Sequence, residues 1–234
     1  MQSSMESRLA LAEKRPAGIE VVREYLRRMA GRSVRPMTLE DVGAVVQIHR
    51  TALPGFFLTS LGPKFLALYY AAVVRSDLGI SLVFVREGQV RGFAVGTLDP
   101  RRFYRQLFKR RCLAFGWYSL GALARRPRIL QRMARAVLDR LGAPHGPEAA
   151  RLASLAVAPE EQGRGFGLAL MVAWIERARE LGARRVALEV MKDDQNLIRA
   201  YEQLGFRPVR ETRKPLAEPM LELRSDSVGE ASTT

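Results

Sequence analysis

The feature that most constrains this chain is a predicted strand that leads through a glycine-rich turn into an amphipathic helix. Residues 152–157 have the apolar composition of a buried strand, and glycines follow at positions 163, 165 and 167. Apolar side chains then recur at helical spacing until Gly182, which ends the predicted helix. Glycines let backbone N–H groups approach a ligand, and a helix N-terminus adds unpaired donors. The turn is therefore either an anion site suited to phosphate or a tight turn with close helix packing.

Two common phosphate-binding motifs do not fit this turn. A Walker-type loop would end in Gly-Lys-Ser or Gly-Lys-Thr, and the turn lacks that ending. A dinucleotide-binding fingerprint has the spacing Gly-x-Gly-x-x-Gly, whereas the spacing here is Gly-x-Gly-x-Gly. The turn therefore belongs to neither of these two classes of nucleotide site.

Strand and helix patterns alternate along the rest of the chain. A short first strand is predicted over 33–36, and Thr38 with Asp41 resembles a capping box that opens a helix reaching His49. The other predicted elements are a turn at 53–57, a helix after Pro63, a hairpin with its turn at 86–89, a strand at 186–191 and a helix at 196–204.

Length and composition fit a folded domain in a reducing compartment. The chain has 234 residues, 47% of them apolar and 26% charged, which predicts one domain with additions rather than a disordered chain. The longest uncharged run has 13 residues, too few to span a bilayer, and Glu6 and Glu13 interrupt any signal peptide. Cys112, the only cysteine, cannot form an internal disulfide. This favours the cytoplasm and a packing role for Cys112.

Positive charge is concentrated in one segment. Residues 101–140 contain 12 of the 38 Lys and Arg residues and one acid, so they supply +11 of the net charge of +14. The segment also contains the aromatic residues Phe103, Tyr104, Phe108, Phe115, Trp117 and Tyr118. This predicts a helical lid over an acceptor site, an anionic membrane surface, or a site for an acidic carrier protein or phosphorylated acceptor. Nucleic acid is disfavoured because no RNA- or DNA-binding module is recognisable.

Four motifs resemble, in order, those of the GNAT superfamily of N-acetyltransferases. The signature Gln/Arg-x-x-Gly-x-Gly/Ala reads Gln162-Gly-Arg-Gly165-Phe-Gly167, and Val157-Ala-Pro159 precedes it. Leu188-Glu-Val190 and Tyr201-Glu-Gln-Leu-Gly-Phe206 follow, and a weaker pattern extends over 33–100. The resemblance implies an α/β fold with a mixed, splayed sheet of six or seven strands and helices on both faces. It also implies acetyl-CoA as the acyl donor and no metal.

The resemblance also assigns the residues that contact acetyl-CoA. In that family the strand before the loop pairs with the pantetheine arm through its backbone, which here implies Leu155 and Val157. The loop amides hold the pyrophosphate, which implies Gln162, Gly163, Arg164, Gly165, Phe166, Gly167 and Leu168. The asparagine expected seven residues before the tyrosine is replaced by Asp194, and the nearest asparagine is Asn196. Both are therefore candidate contacts.

Acetyl transfer to an amine needs a base for the proton of the attacking amine and an acid for the departing thiolate. In the branch that acetylates protein N-termini, the glutamate of Leu-Glu-Val is the base and the tyrosine of Tyr-x-x-x-Gly-Phe is the acid. The resemblance carries these roles to Glu189 and Tyr201. A solvated strand residue for Glu189 and a packing tyrosine for Tyr201 stay open. His49 and His145 have no partner at metal-ligand spacing, so both are interpreted as surface or turn histidines.

The resulting hypothesis is an N-acetyltransferase that transfers an acetyl group to a primary amine of a small molecule, amino sugar or peptide by direct attack. Two alternatives are a non-catalytic acyl-CoA-binding or membrane-tethered regulatory module, and an acyltransferase that uses acyl-carrier protein as donor. The protein is expected in the cytoplasm, peripheral at the inner membrane face if the basic segment binds lipid, and a homodimer is a candidate assembly. The predicted parts are an N-terminal helix or tail (1–32), an acetyltransferase domain (33–224) with a basic helical insertion (101–147), and a disordered tail (225–234).

Overall fold

The computed structural model describes residues 33–107, 149–212 and 220–226. The strands are β1 (Val34–Pro36), β2 (Gly79–Arg86), β3 (Gln89–Thr97), β4 (Ala149–Val157), β5 (Arg185–Met191), β6 (Arg207–Thr212) and β7 (Met220–Asp226). The helices are α1 (Val42–Ala52), α2 (Phe57–Ser60), α3 (Pro63–Val74), α4 (Phe166–Glu180) and α5 (Gln195–Gln203). Residues 100–107 are also helical. The predicted N-terminal tail, Cys112, His145 and most of the basic insertion lie outside the described residues.

The strands form one sheet that opens in its middle. Their order is β1-β2-β3-β4-β5-β7-β6. All neighbouring strands run antiparallel except β4 and β5, which run parallel. Within the described strands, β4 pairs with β5 only from Ala149 to Arg151, and the two strands then diverge. The predicted mixed, splayed sheet is therefore confirmed, with the splay between the fourth and fifth strands.

Helices cover both faces of the sheet, as predicted. On one face α4 and α5 bury their apolar sides against the sheet, with Trp174 and Leu170 of α4 fully enclosed. On the other face α1 and α3 pack over β2, β3 and β4, and their core includes Leu66 and Tyr70. Burial of large apolar side chains on both faces is the main stabilising contribution to such a layered fold.

At the start of α1 one half of the predicted capping box forms, and an unpredicted interaction with Arg35 adds to it. The carboxylate of Asp41 accepts hydrogen bonds from the Thr38 backbone N–H at 2.8 Å and from Arg35 at 2.7 and 2.8 Å. The hydrogen bond from Arg35, together with those from Thr38, lowers the pKa of Asp41 to about 2. This carboxylate therefore stays ionised and joins β1 to the first turn of α1.

Two strands are not predicted individually, and two sequence expectations are corrected. Strands β6 and β7 are not recognised individually from the sequence, because charged residues interrupt their apolar pattern. Strand β7 continues to Asp226, two residues beyond the predicted domain boundary. Phe103 and Tyr104 are buried in the core beside α1 and α3, so these two aromatic residues do not contribute to a surface for a polyanion.

Candidate active site

The glycine-rich turn presents backbone donors at the start of α4. Gly163 and Gly165 have φ values of 74° and 83°, in the left-handed region that favours glycine. The N–H of Ala169 donates to the Gly165 carbonyl at 3.0 Å as the first α-helical bond of α4. The N–H groups of residues 166–168 therefore have no acceptor within the helix itself. Glycine at 165 has no side chain to cap them, so they can bind an external anion.

The third glycine of the turn is not required by packing. A Cβ atom at Gly167 would lie 3.7 Å from the side chains of Leu155 and Val157, which is an ordinary contact distance. The preceding Phe166 stacks on Phe84 of β2 with ring centroids 4.3 Å apart. The first turn of α4 is thus anchored by an aromatic pair and has room beside Gly167. These features fit a phosphate-bearing ligand such as acetyl-CoA at this helix terminus.

Backbone groups of β4 face the gap beside β5. The N–H of Ala158 donates to the Arg91 carbonyl at 2.8 Å, and the register continues as Ala156 opposite Phe93. Hydrogen-bonded and non-hydrogen-bonded pairs alternate along antiparallel strands, so Leu155 and Val157 direct their backbone groups away from β3. The structure therefore turns these two residues, which are the candidate pantetheine contacts, towards the opening of the sheet.

The polar side chains of the loop are engaged within the protein. The Gln162 side-chain amide donates to the Val157 carbonyl at 3.1 Å. The buried carboxylate of Glu161 accepts from Arg86 at 2.8 Å and from Arg164 at 3.0 Å. Gln162 thus stabilises the end of β4, while Glu161 fixes the orientation of the half-exposed Arg164 side chain. The backbone of the loop, rather than these side chains, is left for the ligand.

Glu189 and Tyr201 lie on opposite faces of the sheet. Leu188 and Val190 pack in the same core as Tyr201, so the intervening Glu189 points to the other face. Glu189 forms an ion pair of 2.7 Å with Arg151, and both side chains are largely buried. Because Arg151 is the last residue of β4 that pairs with β5, this ion pair lies where the two strands begin to diverge.

Tyr201 loses its proton less readily than an ordinary tyrosine. Burial raises the pKa of Tyr201, and the negative charge of Asp194 raises it further. The ring lies in the core with its centroid 6.0 Å from that of Phe206. The hydroxyl is therefore a hydrogen-bond donor, and full transfer of its proton is less favourable than for an ordinary phenol.

The two candidate CoA contacts, Asp194 and Asn196, lie at the start of α5. Asp194 accepts a hydrogen bond from the Leu197 N–H at 3.0 Å and caps α5. Asn196 accepts from Arg199 at 2.9 Å. Both side chains are exposed, and the cap accounts for a carboxylate at position 194 without any ligand.

A group of charged residues on the Glu189 face is not predicted from the sequence. Glu222 of β7 lies directly opposite Glu189 in the sheet and is fully buried. Its carboxylate accepts from Arg210 and Arg224, each at 2.8 Å. The only signal in the sequence is a glutamate between two leucines in Leu221-Glu-Leu223, where an apolar strand would expose its alternate residues.

His49 is buried, so its interpretation as a surface or turn histidine is wrong. Its side chain is 1% exposed, its Nδ1 shares a hydrogen bond of 2.5 Å with the Tyr70 hydroxyl, and its ring stacks on Phe93. Tyr70 in turn bonds to Ser154 of β4. Burial lowers the pKa of His49 to about 4, so it is neutral at pH 7. The helical spacing from Val42 placed it on the apolar side of α1.

The described residues offer neither a metal-binding group nor a membrane-spanning helix. In the part of the chain that the structure describes, no group of three or more His, Cys, Asp and Glu residues could hold a metal ion. Among the same residues, no helix has the length and apolar character needed to cross a membrane.

The sequence matches a protein-family model and a curated protein. The model described as "Acetyltransferase (GNAT) family" matches residues 44–206. The uncharacterized N-acetyltransferase YobR of Bacillus subtilis (strain 168) is 35% identical over 60 residues, which are 26% of this chain and 24% of that protein. The chain therefore matches only about a quarter of that relative's length.

The fold is similar to solved acetyltransferase structures. The ribosomal-protein-S18-alanine N-acetyltransferase of Escherichia coli has a TM-score of 0.55 at 15% identity, covering 86% of this chain and 97% of that one. Ard1 of Thermoplasma volcanium has a TM-score of 0.55 at 19% identity, covering 84% and 98%. The crystal structure of SsHAT has a TM-score of 0.59 at 25% identity, also covering 84% and 98%. The likenesses to the first two show the fold alone.

Proposed function

The chain belongs to the acetyltransferase (GNAT) family, and from this premise we propose that it transfers an acetyl group from acetyl-CoA to a primary amine. One observation carries the proposal. Backbone groups of β4 point into the gap beside Glu189, and the free N–H groups at the start of α4 follow them along the chain. A ligand with an anionic end and a long amide-bearing arm fits this sequence of donors and acceptors.

The residues proposed to hold acetyl-CoA act mainly through their backbone. The N–H groups of residues 163–168 would hold the pyrophosphate, assisted by the positive end of the α4 dipole. Leu155 and Val157 would pair with the amides of the pantetheine arm as an added strand would. The Val157 carbonyl already accepts from Gln162, which leaves its N–H and both groups of Leu155 for the arm.

Two side chains are proposed to manage the protons. Bound acetyl-CoA would supply a thioester for direct attack by the amine and a thiolate leaving group. Tyr201 would donate a hydrogen bond to the sulfur, a role consistent with its raised pKa. Glu189 would accept the proton of the attacking amine, although a carboxylate held by a guanidinium such as that of Arg151 accepts a proton less readily. Because these residues lie on opposite faces, the reacting groups would have to meet in the gap between β4 and β5.

The acceptor is proposed to be a small molecule, an amino sugar or a peptide. The name of the Escherichia coli enzyme describes a protein substrate of that enzyme, and its likeness to this chain supports the fold only. Arg101, Arg102 and Arg105 are the described cations of the basic segment, and all three are exposed. An anionic membrane and an acidic carrier protein stay predicted partners of the basic segment, and a lid over the acceptor site stays a predicted role. The cytoplasmic location is also a prediction.

The test is thiol release from acetyl-CoA with a panel of amines, measured beside equilibrium binding of CoA. We expect thiol release that depends on the amine, with the acetylated amine identified by mass spectrometry. CoA binding without thiol release for any amine would favour the non-catalytic binding module. Faster reaction with acyl-carrier protein thioesters than with acetyl-CoA would favour the alternative donor.

A further inference from the structure

The row of charges on the Glu189 face contains more cations than anions. Glu189, Glu222 and Arg210 follow one another across β5, β7 and β6, and Arg224 flanks them on β7. Arg151 approaches from β4 through its ion pair with Glu189. Among the described residues of this row, three guanidinium groups therefore share two carboxylates.

Glu222 fixes the orientation of two of these arginines. Its Oε2 accepts from Nε of Arg210, and its Oε1 accepts from Nε and Nη2 of Arg224, all at 2.8 Å. Burial alone would raise the pKa of Glu222, but the hydrogen bonds from Arg210 and Arg224 and the charge of Arg151 lower it. An apolar side chain at this fully buried position could stabilise the sheet as well as an ion cluster does. What the carboxylate adds is a fixed direction for two guanidinium groups.

Both arginines keep donors that face away from Glu222. The side chains of Arg210 and Arg224 are 43% and 30% exposed. Across residues 33–107, 149–212 and 220–226, Glu222 is the only acceptor that they contact. Each guanidinium carries five N–H donors, so both Nη groups of Arg210 and Nη1 of Arg224 remain available. Paired guanidinium groups of this kind recognise carboxylate and phosphate.

This pair is close to the proposed site of acetyl transfer. Glu189 and Glu222 are directly opposite in the sheet, and Arg210 is directly opposite Glu222 on the next strand. Each such step is about 5 Å, so the arginine pair lies about 5–10 Å from Glu189 along the row. A molecule with an amine at Glu189 could therefore reach the arginines with an anionic group a few bonds away.

We propose that Arg210 and Arg224, oriented by the buried Glu222, bind a carboxylate or phosphate of the acceptor whose amine lies at Glu189. The acceptor is then an anionic amine. This inference rests on the proposed acetyl transfer for the position of the amine, while the anion site itself rests on the ion cluster.

The experiment compares amines that differ in one anionic group. Phosphoethanolamine is paired with ethanolamine and aminohexanoate with hexylamine, and kcat/KM is measured for each with acetyl-CoA. We expect at least one anionic amine to exceed its neutral partner by about tenfold or more. The phosphate pair and the carboxylate pair show which anion the site prefers.

Variants then test whether Arg210 causes the preference for anionic amines. Arg210→Gln is expected to lower the ratio of anionic to neutral kcat/KM by about tenfold, through KM, and Arg210→Lys to retain part of it because the charge remains. Arg177→Gln is the matched control, since Arg177 is half-exposed on α4 and pairs with Glu180 at 2.9 Å. Arg210 lies on an edge strand and is 43% exposed, so its variants are expected to fold. Circular dichroism checks this.

Each outcome decides the proposal. A wild-type preference for anionic amines that Arg210→Gln removes and Arg177→Gln retains supports it. Equal kcat/KM within both pairs, or a preference that survives Arg210→Gln, overturns it while acetyl transfer stands. If no amine is acetylated, the proposed function fails. Equilibrium binding of the same pairs, with CoA at a saturating concentration, then decides the anion site. Tighter binding of the anionic member that Arg210→Gln abolishes supports the site, and equal binding overturns it.

Discussion

The glycine-rich turn and the charged row of β5, β7 and β6 differ in how they are built. At the turn, the donors are backbone N–H groups of consecutive residues, fixed by two left-handed glycines and a helix start. In the row, the donors are side chains of Arg210 and Arg224, which neighbouring strands bring to one buried glutamate. Strand β4 borders both regions, because it ends in the turn and carries Arg151 at its beginning.

The difference has consequences for specificity. Backbone hydrogen-bond donors stay in place when side chains change. This suits the binding of acetyl-CoA, which a whole family of enzymes uses. Side-chain donors on separate strands can be exchanged one at a time, which suits an acceptor that differs between enzymes. We therefore expect substitutions in the turn to alter acetyl-CoA binding and substitutions in the row to alter acceptor binding.

The largest effect on kcat is expected at Tyr201, the proposed hydrogen-bond donor to the sulfur, which belongs to neither region. Tyr201→Phe removes the hydroxyl with little change in shape and should lower kcat by about 10²–10⁴ while CoA binding stays near normal. Tyr69→Phe is the control, because Tyr69 is equally buried on the other face, where its hydroxyl approaches that of Tyr104. A kcat within about threefold of wild type for Tyr201→Phe would return Tyr201 to a packing role.

The next effect is on stability and concerns His49, which is buried in the core between α1, α3 and the sheet. Neutral His49 has its pKa lowered from 6.5 to about 4, so between these values the unfolded chain binds a proton that the folded protein does not. Its contribution to stability is therefore complete above about pH 7 and is lost as pH falls from about 6.5 to 4, by about 3 kcal/mol in total. His49→Gln should lose this pH dependence, measured as the free energy of unfolding in urea at several pH values. Curves that stay parallel for the two proteins would contradict it.

Glu189 is expected to have a smaller effect than Tyr201. Because Arg151 engages its carboxylate at 2.7 Å, we expect Glu189→Gln to lower kcat at pH 7 by about a hundredfold, near the low end for a general base. The rate should recover at high pH, where the amine loses its proton without help. Glu176→Gln on α4 is the control for the loss of one carboxylate. Failure of the rate to recover in a pH profile would argue against a base at position 189.

The sequence predicted local features well and contacts between distant strands poorly. The helices around Val45, Phe65 and Trp174 follow from apolar spacing, and the hairpin follows from its turn residues. Gly163 and Gly165 are recognisable because their roles depend on neighbours in the chain. The charged row was missed because its members meet only after β7 inserts between β5 and β6.

Two individual residues show the same limit. His49 was misplaced because the prediction rested on its lack of a partner at metal-ligand spacing, although the apolar spacing from Val42 indicates burial. The sequence makes Asp194 a candidate ligand contact, and in the structure its side chain caps α5. In both cases the position of the residue relative to its helix decided its structural role.

The most direct measurement compares the two regions in one protein background. Gly167→Glu places a negative charge at the start of α4, where it favours the helix, has room for its Cβ, and would repel a pyrophosphate. Gly167→Gln is its uncharged match in size. The KM of acetyl-CoA and the KM of an anionic amine are measured for three single variants, Gly167→Glu, Gly167→Gln and Arg210→Gln.

We expect Gly167→Glu to raise the KM of acetyl-CoA by about tenfold or more over Gly167→Gln, and to leave the KM of the amine within about twofold. Arg210→Gln should raise the KM of the amine about tenfold and leave that of acetyl-CoA within about twofold. Equal acetyl-CoA KM values for the Glu and Gln variants at position 167 would contradict a pyrophosphate at the start of α4. An effect of Arg210→Gln on acetyl-CoA alone would contradict an acceptor site in the charged row.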